Sequence, residues 1–174
     1  MKAIFLAAAA ITLAAAVQAA APARVVNPQD QAAARQELAA GASLAQQGRV
    51  EEAIARTKKA ASLDPNYGEA QYNLGVLYSQ KNDMASAVKH MKRAIALSPR
   101  NEAAHYNLAY FYQVSGKLDA AEKEYRKAIA LDPNAANAQL NLGILLAKRG
   151  SPEAASHCRR AFELNGADNQ FCPR

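Results

Sequence analysis

A 34-residue repeat constrains the fold of this chain more than any other sequence feature. A leucine followed two residues later by proline recurs at the same point of three successive units, at Leu63, Leu97 and Leu131. Proline lacks an amide hydrogen and clashes with the preceding helical turn, so each of these prolines ends one helix shortly before the next begins. A fourth unit closes at Leu164, with glycine in place of the proline. This period predicts a stack of similar small units.

A second helix-ending position lies midway through each unit. Glycine or asparagine tolerates the left-handed backbone that ends a helix. Such a residue stands there in all four units, as Gly48, Asn82, Gly116 and Gly150. Each unit is therefore predicted to be two antiparallel helices joined by a tight turn. The predicted units span residues 34–67, 68–101, 102–135 and 136–166. At the boundary with the second unit, Asn66 and Glu69 are expected to cap the first helix of that unit.

These units resemble the tetratricopeptide repeat, which is marked by Leu-Gly, an aromatic residue, alanines and proline at set positions. The second unit carries Leu74-Gly75, Tyr78, Ala87, Met91, Ala94 and Pro99. The third carries Leu108-Ala109, Tyr112, Ala121, Tyr125, Ala128 and Pro133. The resemblance covers about Ala34 to Gly166. It implies an all-α, right-handed superhelical solenoid of about four antiparallel helix pairs, with weaker first and last units as caps.

Helical periodicity divides the first helix of each unit into two faces. Gln71, Leu74, Gly75 and Tyr78 share one arc, which predicts the seam that packs against the second helix. The small Gly75 is expected to let that helix approach closely. The opposite arc becomes the concave surface when the units stack.

That concave arc carries an apolar and aromatic stripe with one asparagine per helix. The stripe residues are Tyr72, Asn73, Val76, Tyr106, Asn107, Tyr110, Leu140, Asn141 and Ile144. An exposed stripe of this kind suits an extended or helical peptide, because asparagine both donates to and accepts from a peptide backbone. The family resemblance implies the same, since equivalent positions commonly bind peptides. The alternative interpretation is that tyrosine and asparagine serve only the packing between units.

The charge pattern adds a second surface. Adjacent basic residues recur on each second helix, and we call them the outer ridge: Lys58, Lys59, Lys92, Arg93, Arg126, Lys127, Arg159 and Arg160. The chain has a formal net charge of +6. Charges at helical spacing are ordinary solvated surface, so we interpret the ridge in that way. The alternative is a binding surface for an acidic partner, anionic lipid headgroups or a cell-wall polymer. No basic helix interleaved with stacking aromatic residues is present, and nucleic acid is not an expected partner.

The first 19 residues have the pattern of a secretory signal peptide. Lys2 supplies the positive region, residues 3–17 the apolar region, and Val17-Gln18-Ala19 the cleavage site. We expect a mature chain from near Ala20, with residues 20–33 as a linker and lead-in. The alternative is an uncleaved anchor, although the run is short and alanine-rich. No cysteine near the cleavage site accepts a lipid. The prediction is a periplasmic or secreted protein, not a lipoprotein, with no membrane span after cleavage.

Two cysteines, Cys158 and Cys172, stand at the C-terminal end of a chain predicted to enter an oxidising compartment. We predict a disulfide between them, joining the predicted tail at 167–174 to the last unit. On the loop-entropy model, closing such a ring stabilises the fold by about 3 kcal/mol. The alternative is two unrelated thiols, because spacing alone proves no pairing.

No catalytic constellation appears in the sequence. His90, His105 and His157 lie in different units, and none stands at metal-ligand spacing with another histidine or a carboxylate. No phosphate loop or nucleophile elbow is present. We therefore predict no metal, no cofactor and no enzymatic activity. The expected function is a protein–protein interaction adaptor or scaffold that binds a partner peptide or protein segment in the concave groove.

Exported members of the family, by analogy, suggest a role in envelope, pilus, secretion or cytochrome-maturation assembly. One family subtype clamps C-terminal carboxylates with basic residues inside the groove. This groove instead has Tyr72, Val76, Tyr106 and Tyr110 at its centre, so that subtype is not expected. The alternative function is a structural module that self-associates and has no separate client.

Overall fold

The computed structural model describes residues 26–166 and Cys172, and these residues form a solenoid of eight helices without strands. The first helices of the four repeats are α1 (Pro28–Gln46), α3 (Gly68–Gln80), α5 (Glu102–Val114) and α7 (Ala136–Lys148). The second helices are α2 (Val50–Leu63), α4 (Met84–Leu97), α6 (Leu118–Leu131) and α8 (Ala154–Asn165). The predicted all-α stack of four helix pairs is confirmed. The signal peptide predicted at residues 1–19 lies outside the described residues, as does most of the predicted tail.

The turns within the repeats use the left-handed backbone that the sequence indicates. Asn82 has φ 59°, and the glycine in the same register of the first repeat, Gly48, has φ 75°. After Asn82, the amide of Asp83 donates to the carbonyl of Tyr78 at 3.0 Å, so one of the last free carbonyls of α3 is satisfied. The chain then reverses direction within three residues and begins the second helix.

Helix α1 begins earlier than the repeat pattern indicates. It starts at Pro28, inside the segment 20–33 that the sequence suggests as a linker and lead-in. The side chain of Asn27 accepts a hydrogen bond from the amide of Asp30 at 2.7 Å and caps the helix. Proline suits the first helical position, because the amide there needs no partner within the helix.

The predicted cap of α3 by Asn66 and Glu69 is wrong. Tyr67 holds the N-cap position and makes no side-chain capping bond. Asp64 instead accepts a hydrogen bond from the amide of Asn66 at 2.9 Å, which stabilises the turn between the repeats. Asparagine and aspartate both favour such local bonds, and here the aspartate two residues earlier takes the amide.

Close packing between the two helices of a repeat depends on a small residue in the first helix. A Cβ atom added to Gly75 would lie 2.9 Å from Cε of Met91 and 3.3 Å from the carbonyl oxygen of Ala87. The predicted close approach at Gly75 is therefore confirmed. Gly41 faces Thr57 in the first repeat in the same way, and a Cβ there would lie 2.6 Å from the threonine Oγ1.

The stacking order places the first helices on the inner side of the solenoid. Helix α1 contacts α3 and α3 contacts α5, whereas second helices of neighbouring repeats make no comparable contact in the described chain. A buried core runs between the two layers, with Leu74, Met91, Tyr125 and Leu142 among its fully buried side chains. The first helices therefore line a concave surface.

The C-terminal end of the solenoid is fastened covalently. Cys158 on α8 and Cys172 form the predicted disulfide, with Cα atoms 5.7 Å apart. None of the helices in the described part of the chain is sufficiently long and apolar to span a bilayer.

Candidate partner-binding groove

The predicted stripe residues all lie on α3, α5 and α7, and none of the nine is fully buried. We call the concave face that they form the groove. Tyr110 is the most open of them, with 44% of its surface exposed. Its ring lies 6.3 Å from the ring of the adjacent Phe111, edge to face. Within the described residues, it stacks on no aromatic ring across the groove. Tyr110 is therefore the stripe aromatic most accessible to a ligand.

Two stripe asparagines join neighbouring repeats. Nδ2 of Asn107 donates to the hydroxyl of Tyr72 at 2.8 Å, and Nδ2 of Asn141 donates to the hydroxyl of Tyr106 at 3.2 Å. Each bond links one first helix to the next along the stack. The packing interpretation of these two asparagines is thus correct in part, because one amide hydrogen of each holds the groove wall together.

Asn73 differs from the other two stripe asparagines. The residue that would face it in the preceding repeat is Leu38, which has no hydroxyl group. Within the described residues, the Asn73 side chain makes no hydrogen bond. It lines a cavity of about 160 Å³ together with Val76. The other residues around this cavity are Gly41, Ala42, Ala45, Thr57, Leu77 and Gln80. The Asn73 amide is therefore available to a ligand.

Tyr106 packs against the buried core and is also partly exposed in the groove. Its ring lies 5.9 Å from the buried ring of Tyr125 at an interplanar angle of 53°, and its hydroxyl accepts the bond from Asn141. Burial raises the pKa of the Tyr106 hydroxyl, and burial also raises the pKa of Tyr125. Both phenols are therefore neutral at physiological pH. Substituting Tyr106 is expected to disturb folding as well as the surface.

A second cavity, of about 430 Å³, opens in the groove across α3, α5 and α7. Tyr72, Tyr106 and Asn107 form one part of its lining, and the carboxylates of Glu102 and Asp132 form another. Burial, and to a lesser extent the charge of Asp132, raises the pKa of Glu102. Sequence reasoning missed both carboxylates, because each lies outside the periodic stripe.

Each repeat also contains a polar contact between its two helices. In three of the repeats, a histidine is one of the two partners. In the second and fourth repeats, Nδ1 of His90 lies 2.9 Å from Oε1 of Gln71, and Nδ1 of His157 lies 2.7 Å from Oε1 of Gln139. Burial lowers the pKa of both histidines. The third repeat has the equivalent contact between the buried His105 and Glu124. In the first repeat, Arg56 and Glu37 occupy the same positions and form an ion pair at 3.1 Å.

The His105 contact is the most buried of these pairs. Its Nδ1 lies 2.6 Å from a carboxylate oxygen of Glu124, and its Nε2 lies 3.2 Å from the carbonyl oxygen of Pro99. Lys127 also donates to Glu124, at 2.8 Å. All three histidines therefore serve helix packing. No cluster of three or more potential metal ligands occurs among the residues that the structure describes.

Half of the eight outer-ridge residues form ion pairs with neighbouring carboxylates. Arg126 pairs with Glu122 at 3.0 Å and with Glu153 at 2.8 Å. The ammonium group of Lys92 lies 5.7 Å from the centre of the Tyr112 ring, a cation–π contact. Such contacts are typical of an ordinary solvated surface, as the sequence interpretation holds.

Comparisons with known proteins agree with this architecture. The model described as "TPR repeat" matches residues 41–82 and 111–150, and the model described as "Tetratricopeptide repeat" matches residues 80–125. No curated protein matches the chain significantly.

Solved structures show the same fold. MamA is 28% identical with a TM-score of 0.72, and the match covers 76% of this chain and 78% of MamA. YrrB, described as a TPR protein with an unusual peptide-binding site, is 23% identical with a TM-score of 0.68, and the match covers 82% of this chain and 73% of YrrB.

The first TPR domain of RPAP3, whose structure contains an HSP90 peptide, is 24% identical with a TM-score of 0.67. That match covers 70% of this chain and 96% of the domain. Family models thus extend over residues 41–150, and the solved structures share the helix-pair solenoid. The chain belongs to the tetratricopeptide repeat family.

Proposed function

We propose that this protein is an interaction adaptor whose groove holds a peptide segment of a partner protein. Proteins of the same fold support the proposal, since YrrB is described as having a peptide-binding site and RPAP3 holds a peptide of HSP90. In this chain, the proposal rests on one observation. The exposed ring of Tyr110 and the unbonded amide of Asn73 lie on the same concave face.

The chemistry of this face suits a peptide. An aromatic ring such as that of Tyr110 contributes a large apolar contact at low entropic cost, and peptide binding sites are enriched in such anchors. The amide of Asn73 supplies a donor and an acceptor, which match one peptide group of a bound segment. Packed helices lie about 8–10 Å apart, so a segment crossing α3, α5 and α7 spans about 20 Å, or about six extended residues.

The groove is also organised before a partner arrives. The bonds from Asn107 to Tyr72 and from Asn141 to Tyr106 fix the spacing of α3, α5 and α7. A preorganised surface loses less conformational entropy on binding, which favours affinity for a short segment. The packing role of these asparagines therefore supports binding and does not compete with it.

Site-specific photo-crosslinking in cells tests the proposal. A photoreactive amino acid replaces Tyr110 in the groove, and a matched variant carries it at the exposed Lys123 of α6, outside the groove. A distinct partner crosslinked only through position 110 supports the adaptor function. Crosslinks between copies of this chain alone would instead identify a self-associating structural module. Equal capture through both positions would reject the groove as the binding surface.

We propose further that the adaptor works in the periplasm or outside the cell, in envelope, pilus, secretion or cytochrome-maturation assembly. The signal pattern of residues 1–19 and the disulfide of Cys158 and Cys172 support this location. Intact-mass measurement on protein from the periplasmic fraction provides the test. We expect a chain that starts near Ala20 without lipid, and a mass that retains the first 19 residues would contradict the proposed export.

A further inference from the structure

We infer that the partner segment presents a basic side chain, lysine or arginine, to the 430 Å³ cavity beside Glu102. This inference rests on the proposed function, because it specifies the chemistry of the segment that the groove holds.

Glu102 lacks a direct polar contact, since burial and the charge of Asp132 raise its pKa and only the more distant charge of His105 lowers it. It is the one carboxylate among the described residues that accepts no hydrogen bond and forms no ion pair. Its nearest acidic neighbour, Asp132, bonds only to the backbone amide of Asn134 in the same turn, at 2.9 Å. Eight of the 14 described carboxylates pair with a basic side chain, and five more accept a hydrogen bond from an amide or a hydroxyl group, so Glu102 alone has neither. Two carboxylates that share a cavity without a cation form an incomplete charge arrangement.

The cavity wall suits the body of a long basic side chain. The rings of Tyr72 and Tyr106 are half-buried, and their hydroxyl groups are held by Asn107 and Asn141. Aromatic rings attract an ammonium or guanidinium group and also cover its aliphatic stem. A volume of about 430 Å³ lies in the ordinary range of binding clefts, about 300–1,000 Å³. The cavity therefore brings two aromatic rings and two carboxylates together in one cleft.

The distribution of charge over the molecule gives this cavity its selectivity. The basic residues of the outer ridge lie on the second helices, away from the groove. An acidic side chain that entered the cavity would be repelled by Glu102 and Asp132, whereas a basic side chain would be attracted. Specificity commonly arises from such a repulsive element as much as from new contacts.

The test uses a small probe and the mature protein. N-acetyl-arginine amide is titrated in the millimolar range, and the backbone amides of Ala103 and Asn107 are followed by nuclear magnetic resonance. N-acetyl-citrulline amide, which has nearly the same shape without the charge, is the ligand control. We expect saturable shifts of both amides with the arginine probe and none with citrulline. Equal shifts with both probes, or none with arginine, would overturn the inference.

Charge-neutralising variants locate the effect. Glu102→Gln is expected to weaken binding of the arginine probe about tenfold, because a partly buried charged contact is lost. The matched variant is Glu69→Gln in the first turn of α3, outside the cavity, and it should bind the probe normally. The melting temperature of Glu102→Gln should change little, because the glutamate accepts no hydrogen bond, forms no ion pair and loses only a weak interaction with the N-terminus of α5. Unchanged probe affinity in the folded Glu102→Gln protein would reject the basic anchor.

The same variant separates failure of this inference from failure of the proposed function. If the Glu102→Gln protein still crosslinks its partner as strongly through position 110, the groove binds a segment without a basic anchor. If position 110 captures no distinct partner even in the unmodified background, the adaptor function itself is rejected. Loss of partner capture in Glu102→Gln, with retention in Glu69→Gln, supports both.

Discussion

Separate alanine substitutions of Tyr106 and Tyr110 distinguish folding from binding in the groove. Tyr106 loses its ring contact with Tyr125, worth about 0.5–1.5 kcal/mol beyond burial, and its bond from Asn141, worth about 0.5–1.5 kcal/mol. With the lost burial, Tyr106→Ala should destabilise the protein by about 2–3 kcal/mol. For a chain of this length, that corresponds to a fall in melting temperature of about 5–10 °C.

Tyr110→Ala should have the opposite profile. The side chain of Tyr110 is 44% exposed, and among the described residues its ring contacts the ring of the adjacent Phe111. The free energy of unfolding should therefore change by less than about 1 kcal/mol. Removing an aromatic anchor from an interface commonly costs about 2 kcal/mol, which is about a thirtyfold loss of affinity. Thermal unfolding by circular dichroism and calorimetric titration of the crosslinked partner measure the two effects. Lys123→Ala on α6 is the control outside the groove.

Two results would refute this reasoning. Unchanged affinity in the folded Tyr110→Ala protein would show that the partner binds elsewhere, and the outer ridge would be the next surface to test. An unchanged melting temperature in Tyr106→Ala would show that the contact with Tyr125 and the bond from Asn141 contribute nothing measurable to the fold.

Two further predictions concern stability. Reducing the bond between Cys158 and Cys172 should destabilise the last repeat by about 3 kcal/mol, with amide exchange rising in α8 and little in α1, because repeats couple mainly to their neighbours. Two free thiols in protein from its native compartment would contradict the pairing. Burial raises the pKa of Glu124, but the bonds from Lys127 and His105 outweigh it, and the net pKa is lowered from 4.5. A lowered folded pKa gives stability that is present above pH 4.5 and lost as the pH falls below it, so the stability advantage of the wild type over Glu124→Gln should shrink there. Urea unfolding from about pH 3 to about pH 6 measures the difference, and a constant difference would refute the assignment.

The number of helices in each repeat and the residues at which they end could be predicted from the sequence, because local chemistry determines them. Proline after Leu63, Leu97 and Leu131 stops a helix wherever the chain lies, and α2, α4 and α6 end at those leucines. The left-handed position at Asn82 is likewise a local property of asparagine and its turn. Burial of the packing seam followed from helical periodicity, as the close approach at Gly75 shows.

Local patterns were less informative where two residues compete for one partner. The cap assigned to Asn66 and Glu69 was wrong because Asp64, two residues before Asn66, accepts the hydrogen bond from the amide of Asn66 within the turn. The repeat pattern also did not predict the start of α1. Asn27 caps this helix and Pro28 is its first residue, and neither residue has an equivalent in the 34-residue repeat. The predicted signal peptide and the cellular location stay predictions.

The roles of the groove residues were decided only by the tertiary structure. By sequence, Asn73, Asn107 and Asn141 occupy one register and are equivalent. In the fold, each asparagine faces the preceding first helix, so its role depends on whether that helix offers a tyrosine hydroxyl or the side chain of Leu38. Glu102 is similar, because its lack of a hydrogen bond or ion pair depends on which residues of α3, of α7 and of the turn after α6 surround it. Periodicity determines which face a side chain occupies, whereas stacking determines which side chain it meets there.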